Sequence, residues 1–315
     1  MCCLFGMIDY NHNFTGKRKS KILSVLAREC EARGTDATGI AYNSGSELKI
    51  YKRPWPARQM RFRIPNRIPV IMGHTRLTTQ GNAKKNENNH PFAGNTPAGA
   101  FALAHNGVLY NDHWLRSSLK LPKTNVETDS YVAVQLIEKM ETLDFTSLRF
   151  MAEEVEGSFC FTILDAEDNL YFVKGDNPLC LYHYPRMGLY LYASTEAILT
   201  KAIRRMGRQF GLHEKVKLEA GDILKIDRNG HQERGSFDAG FLCYRYYQPT
   251  RIGYSFTANC CTPMHTEQDE YEAAYIDELK TVARYYGYEE ELVDTWLHDG
   301  FTTDDIEDFL YCGEM

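Results

Sequence analysis

Through the first two thirds of the chain, apolar positions come in short runs rather than in long helical stripes. Residues 3–8 read as a buried strand, 39–42 as a second that pairs with the alternating segment 48–52, and 69–74 as a third. Runs at 101–105, 159–164, 170–173, 179–183, 189–193 and 220–228 read the same way, being short and bounded by turn residues. Helical spacing is confined to 17–31, 128–140, 145–155 and a segment capped by Ser194 and Thr195. Residues 53–68, rich in Pro and Arg, read as loop. So do residues 78–100, where five Asn, three Gly and two Pro mark a long loop of the kind that forms functional lids. Many strands with few intervening helices disfavour a doubly wound parallel sheet and predict antiparallel sheets covered by helices.

That pattern predicts one domain over residues 2–234, a linker without period at 235–265, and a different kind of segment over 266–315. In the last of these, Tyr271, Tyr275, Leu279, Val282 and Tyr286 form a helical stripe that Gly287 ends. A short second helix is predicted at 289–297, and Thr302 is placed to cap a third, with Asp304 and Asp305 in its first turn.

Charge divides the chain at the same place. Residues 266–315 hold 16 acids and 2 bases, whereas residues 1–265 hold 26 acids and 34 bases, so the net charge of −6 averages a basic body and an acidic tail. A segment at −14 repels phosphates, which excludes it as a nucleic-acid binder. It is expected either to dock on the body through Tyr271, Tyr275, Leu279 and Trp296 or to serve as a docking module for a partner. No apolar run approaches the ~20 residues of a membrane helix. The start of the chain lacks a basic lead and meets Asp9 early, so no signal peptide is expected and the address is expected to be cytoplasmic. The nine cysteines are odd in number and scattered without C-x-x-C spacing, which predicts reduced thiols and no structural zinc site.

Four islands carry chemistry: Met1-Cys2; Gly73-His74-Thr75-Arg76 with Thr79; His105-Asn106-Gly107; and Glu127-Thr128-Asp129. Removal of Met1 would leave a cysteine holding a thiol and a free α-amine. That amine has a pKa of roughly 7.7–8.0 and can serve as general base for its own thiol. Arg76 follows a buried strand and suits bidentate binding of a carboxylate, or a structural ion pair. Asp129 opens a helix as a ligand for an ammonium group, or as a cap. Asn106-Gly107 is an ordinary turn dipeptide or, through an amide and a backbone N–H, a cradle for an oxyanion.

Taken in order, the segments MCCLFG, RGTDATGIA, GHTRLTTQGN, NNHPF, LAHNGVLYN, VETDSYVAVQLI, VEGSFCFTILD and LYASTEAIL resemble the class II glutamine amidotransferases. The likeness is strongest to the glutaminase domain of the glucosamine-6-phosphate synthases. It implies an α+β fold, the four-layer αββα sandwich of N-terminal-nucleophile hydrolases, with a small helical C-terminal appendage. It implies hydrolysis of L-glutamine to glutamate and ammonia through a γ-glutamyl thioester on Cys2, without a metal or organic cofactor. Arg76 would bind the glutamine α-carboxylate with Thr79 nearby, and Asp129 the α-ammonium. Asn106 and Gly107 would form the oxyanion hole, and Arg33 would support the nucleophile's surroundings.

The likeness has gaps. Cys3 stands where the family has Gly, and is expected to narrow the pocket or to offer a second thiol. Leu77 and Gln80 replace Trp and His of the synthases. The segment after the resemblance is too short for the family's acceptor domains, so a separate acceptor-synthase protein docking through residues 266–315 is expected. An N-terminal cysteine hydrolase of another amide and a glutamine-binding regulatory protein without turnover are the rival readings.

Overall fold

A computed structural model describes residues 2–207, 210–240, 242, 276, 279–280, 282–284, 288–298, 303, 306 and 309–310. The chain divides into two compact units, one through residue 247 and one from 248 to 315.

The first unit is built on two sheets. One has the strand order β11-β9-β10-β1-β4-β2-β3. Its members are β1 Cys3–Asp9, β2 Ala37–Ser44, β3 Glu47–Arg53, β4 Val70–Arg76, β9 Cys180–Tyr184, β10 Leu189–Ala193 and β11 Glu214–Val216. The other has the order β13-β12-β8-β7-β6-β5. It comprises β5 Phe92–Thr96, β6 Gly99–Leu109, β7 Gly157–Leu164, β8 Leu170–Lys174, β12 Asp222–Ile226 and β13 Gln232–Ser236. Every paired strand is antiparallel. The helices are α1 Gly16–Glu29, α2 Asp112–Ser118, α3 Tyr131–Lys139, α4 Phe145–Glu154 and α5 Glu196–Met206.

Three apolar clusters separate the layers, and alternation along each strand decides which cluster a side chain joins. From β1, Phe5 and Met7 pack beneath α1 and α5, while Leu4 and Ile8 enter the space between the sheets. From β6, Leu103 packs beneath α3 and α4, and Ala102 and Ala104 face the other sheet. A central strand covered on both faces has no polar face, which is why β1 and β4 read as continuous apolar runs. The result is the expected αββα sandwich.

Departures from the sequence pattern occur at edges. The expected loop 78–100 contains a 3₁₀ turn at Asn86–Asn88 and the edge strand β5. Gly94 and Asn95 in β5 have low strand propensity and hide it. The strand expected to be last is followed by β13, an exposed polar edge strand with no apolar pattern to announce it. β13 runs past the expected boundary at 234, and Phe237 and Leu242 continue into the core beneath α4. The rest of the expected linker lies outside the described residues.

The corner from β1 into α1 rests on a buried ion pair. Lys19 Nζ lies 2.9 Å from Asp9 Oδ2, and both side chains are fully buried. Asp9 also accepts the N–H groups of Asn13 and Phe14, and Lys19 donates to Ile68 O at 2.5 Å. Their remaining hydrogen-bonding capacity is thus used, as a buried charge pair requires.

In the second unit, α6 Glu291–His298 contributes Val293 and Trp296 to an apolar cluster with Leu279, Ala283, Ile306 and Leu310. Leu279 and Trp296, expected on the sequence to face the body, are therefore buried in this unit's own cluster. Lys280 pairs with Asp294 at 2.7 Å and Arg284 with Glu290, so both bases of the acidic segment are neutralised within it. Tyr271, Tyr275 and Thr302 lie outside the described residues.

Removing one member of the buried pair strands the other charge. Lys19→Met is expected to lower stability in urea unfolding by about 3–5 kcal/mol. A loss under about 1 kcal/mol would contradict the role given to this pair.

Candidate active site

Antiparallel pairing of β1 with β4 opposes Cys3 to Thr75, which brings Cys2 beside Arg76 at the sheet's end. The RG-x-D segment braces this end. Arg33 Nε donates to Cys2 O at 3.1 Å, and Asp36 N donates to Arg76 O at 2.9 Å. Asp36 Oδ2 accepts the N–H of Thr78 at 2.7 Å. A Cβ on Gly34 would lie 2.5 Å from the Arg76 carbonyl carbon, so the bracing segment passes the strand end at a distance open to glycine alone.

Cys2 is 8% exposed, and its thiol donates to Leu77 O at 3.5 Å. Burial raises its pKa. The terminal ammonium, the Leu77 bond and Arg76 pull it down, and Asp129 pushes it up. The fields of Arg76 and Asp129 thus meet at the thiol from opposite signs.

Arg76 and Asp129 are both buried, and one residue holds them both. The Arg76 guanidinium donates to Asn89 Oδ1 at 2.8 Å and to Gln80 O at 2.5 Å. The Gln80 side chain turns the other way and accepts the N–H of Asp129 at 2.8 Å. Asp129 Oδ2 accepts the N–H of Leu109, at the end of β6, at 2.6 Å. Both charged groups keep hydrogen-bonding capacity beyond these contacts. Glu127 fastens the same loop, accepting from Asn88 Nδ2 at 2.9 Å and pairing with Lys85. Lys85 and Asn88 hold its carboxyl down at about 2.

Asn106 and Gly107 lie on β6, which packs against β1 and β4 across the sandwich. His74 Nε2 on β4 meets His105 O on β6 at 2.9 Å, tying the two strands together just before Arg76 and Asn106. Asn106 is fully buried, and neither its Oδ1 nor its Nδ2 has a hydrogen-bond partner. Gly107 has φ +142°, and a Cβ there would lie 1.9 Å from Ser158 O, so no other residue fits.

Thr79, expected close to the substrate, is exposed. Its neighbour Thr78 carries the contact to Asp36 and has a buried, unpartnered Oγ1. Thr78 also lines a cavity of about 400 Å³ together with Asp36, Pro54, Gly81, Asn82, Ala83 and Lys84. The side chain of Cys3 joins the cluster beneath α1 with Phe5 and Cys30, which removes it from the pocket it was expected to narrow. Among the described residues, Cys2, Cys3, Cys30, Cys160 and Cys180 are free thiols.

Sequence reasoning did not anticipate the role of Gln80, noted only as a departure, or the state of the histidines. Burial drives His74 down to about 3, His90 well below the ordinary range, and His105 below it as well. All three are neutral at neutral pH and add no positive charge beside the thiol. Among the described residues, no group of three or more His, Cys, Asp or Glu is placed to hold a metal ion. No described helix is long and apolar enough to cross a membrane.

The first unit is a four-layer sandwich with a buried cysteine at the start of a central strand, in the field of an arginine and an aspartate. In comparison with known proteins it resembles the glutamine amidotransferase domains of class II, the N-terminal-nucleophile type. Residues 74–201 match the glutamine amidotransferase domain family. The chain is similar to the glutamine–fructose-6-phosphate aminotransferase of Staphylococcus aureus strain Mu50, with 29% identity over 249 residues. Its similarity to the enzyme of that name from Streptococcus pyogenes serotype M6 is 30% over 254 residues. Each alignment covers 76% of this chain but 39% of the relative, so the chain spans about two fifths of their length. In fold it is similar to glutamine phosphoribosylpyrophosphate amidotransferase from B. subtilis, with a TM-score of 0.61 at 20% identity over 75% of this chain and 49% of that one.

A thiol raised by burial reacts as thiolate only at alkaline pH. Alkylation of Cys2, followed by peptide mass mapping, is expected to accelerate through pH 9.0 without reaching a plateau. A plateau below about pH 8 would show that the nearby positive charges outweigh burial.

Proposed function

We propose that the first unit hydrolyses L-glutamine to glutamate and ammonia at Cys2. The observation that carries this reading is the meeting of a buried arginine and a buried aspartate at one buried thiol. A ligand bearing both a carboxylate and an ammonium satisfies the two charges together, and an α-amino acid is the smallest such ligand.

The assigned roles follow from the chemistry of each group. The Arg76 guanidinium grips the α-carboxylate, and Asp129 the α-ammonium. Thr79 is assigned to the carboxylate end by the resemblance alone, its side chain being exposed, and Arg33 fixes the backbone of the nucleophile by its bond to Cys2 O. With Met1 removed, the α-amine of Cys2 takes the proton of its neutral thiol. The sulfur then attacks the side-chain carbonyl carbon of glutamine. The carbonyl oxygen gains negative charge and is met by the Asn106 amide and the Gly107 N–H. Collapse of the tetrahedral intermediate breaks the C–N bond, and the ammonium formed from the amine returns its proton to the departing ammonia. Water attacks the remaining thioester by the same route and releases glutamate. One difficult amide hydrolysis is thereby divided into two easier steps.

Delivery of the ammonia to an acceptor on another protein is a further part of this proposal, with residues 266–315 as the docking segment. Its support is the acid excess of that segment and the internal pairing of Lys280 and Arg284. A chain lacking residues 266–315 should then lose a partner that the full chain retains in affinity capture.

Intact mass of the purified chain should show loss of Met1, and glutamate should appear when glutamine is supplied. Cys2→Ala should abolish release. Arg76→Ala should raise the glutamine KM about 10–100-fold, as expected for one charge-assisted hydrogen-bond pair of about 1.5–3 kcal/mol. Retained Met1 with no glutamate formed overturns the reading, and activity surviving in Cys2→Ala overturns the mechanism.

A further inference from the structure

β8 ends at Lys174, yet the strand beside it keeps its bonding: Phe159 N on β7 donates to Asp176 Oδ1 at 2.8 Å. The carboxylate takes the place of the backbone that has turned away, and it holds residues 175–177 across the end of β7. Pro178 disfavours a helical turn at Asn177 and so keeps the chain from curling back.

This arrangement delivers Asn177 to Gly107, which lies opposite Phe159 in the β6–β7 ladder. Asn177 is 8% exposed, and its Nδ2 has no hydrogen-bond partner. That nitrogen stands 2.8 Å from where a Cβ on Gly107 would be. One residue earlier on β6, both polar atoms of the Asn106 side chain are buried and unpartnered. A buried polar atom left without a partner is costly. Three unpartnered atoms on two asparagines thus gather around one glycine, and the two that are donors, Asn106 Nδ2 and Asn177 Nδ2, would be satisfied together by one bound carbonyl oxygen.

We propose that Asn177 is a third donor of the oxyanion cradle. Its Nδ2–H group joins the Asn106 amide and the Gly107 N–H at the side-chain carbonyl oxygen of the substrate. The proposal rests on the glutaminase reading and extends it by one residue. The oxygen is neutral in bound glutamine and negative in the tetrahedral intermediate, so a buried donor aimed at it acts more strongly on the intermediate. Asn177 therefore lowers the barrier and contributes little to ground-state affinity.

The test uses the full chain as wild type, Asn177→Ala and Asn177→Leu, the second keeping the branching of asparagine at Cγ without its polar atoms. Three quantities are measured: kcat and KM for glutamine hydrolysis, and the inhibition constant of glutamate γ-semialdehyde, whose aldehyde adds the thiol to give a tetrahedral adduct. In both variants kcat should fall about 100–1,000-fold with KM within about threefold of wild type, in line with loss of one oxyanion donor. The aldehyde inhibition constant should rise by the same factor as kcat falls, a coupling that a merely structural role would not produce. Thermal melting identifies any variant that fails to fold, and the folded one then decides. A kcat and an inhibition constant within about twofold of wild type overturn the proposal, as does a higher KM at unchanged kcat. A wild-type chain that releases no glutamate overturns the glutaminase reading and this inference together, which separates the two failures.

Discussion

The pairing of β1 with β4 is the constraint on which the site depends. Antiparallel register is discrete, so opposing Cys3 to Thr75 leaves one place for Cys2, beside Arg76. A slip of one residue would turn Phe5 and Met7 from the helix-covered face to the space between the sheets, and Leu4 and Ile8 the other way. Both faces are filled, so the packing of the whole first unit enforces the position of its second residue. Arg33 and Gly34 then brace the strand end from outside the ladder.

Burial also sets the electrostatics. It keeps the thiol protonated and the three nearby imidazoles neutral, so the charges that act on Cys2 are Arg76, Asp129 and the terminal ammonium. In a dry site such charges are weakly screened, so their fixed placement sets the field at the thiol. Gln80 is central here because its backbone carbonyl holds the cation and its side chain holds the helix start that carries the anion. The spacing between Arg76 and Asp129 is therefore set by one residue's reach.

Much of this was legible in the sequence. The layered fold was visible because strands buried on both faces leave continuous apolar runs, and the site islands because they stand where those runs stop. β5, β11 and β13 were not visible, since these edge strands carry polar or small residues, whereas β3, also at an edge, alternates and was legible. The separate environments of Cys2 and Cys3 were likewise hidden. Adjacent residues on a strand point to opposite faces, and which face is the site depends on the partner strand. The contacts of Gln80 and Asn177 were hidden for a different reason. Their contacts join segments distant in sequence, and an amide side chain announces no partner in advance.

The place of β1 in its sheet also has a consequence for timing. β1 lies between β4 and β10, and β10 comprises residues 189–193. β1, made well before it, cannot be enclosed on that side until residues 189–193 have been made. At roughly 5–20 residues per second, that interval of synthesis is on the order of 10–40 s. Only once β10 has docked does Cys2 reach the buried state in which it is 8% exposed. The packing that buries Cys2 is therefore completed late, by a strand far from it in sequence.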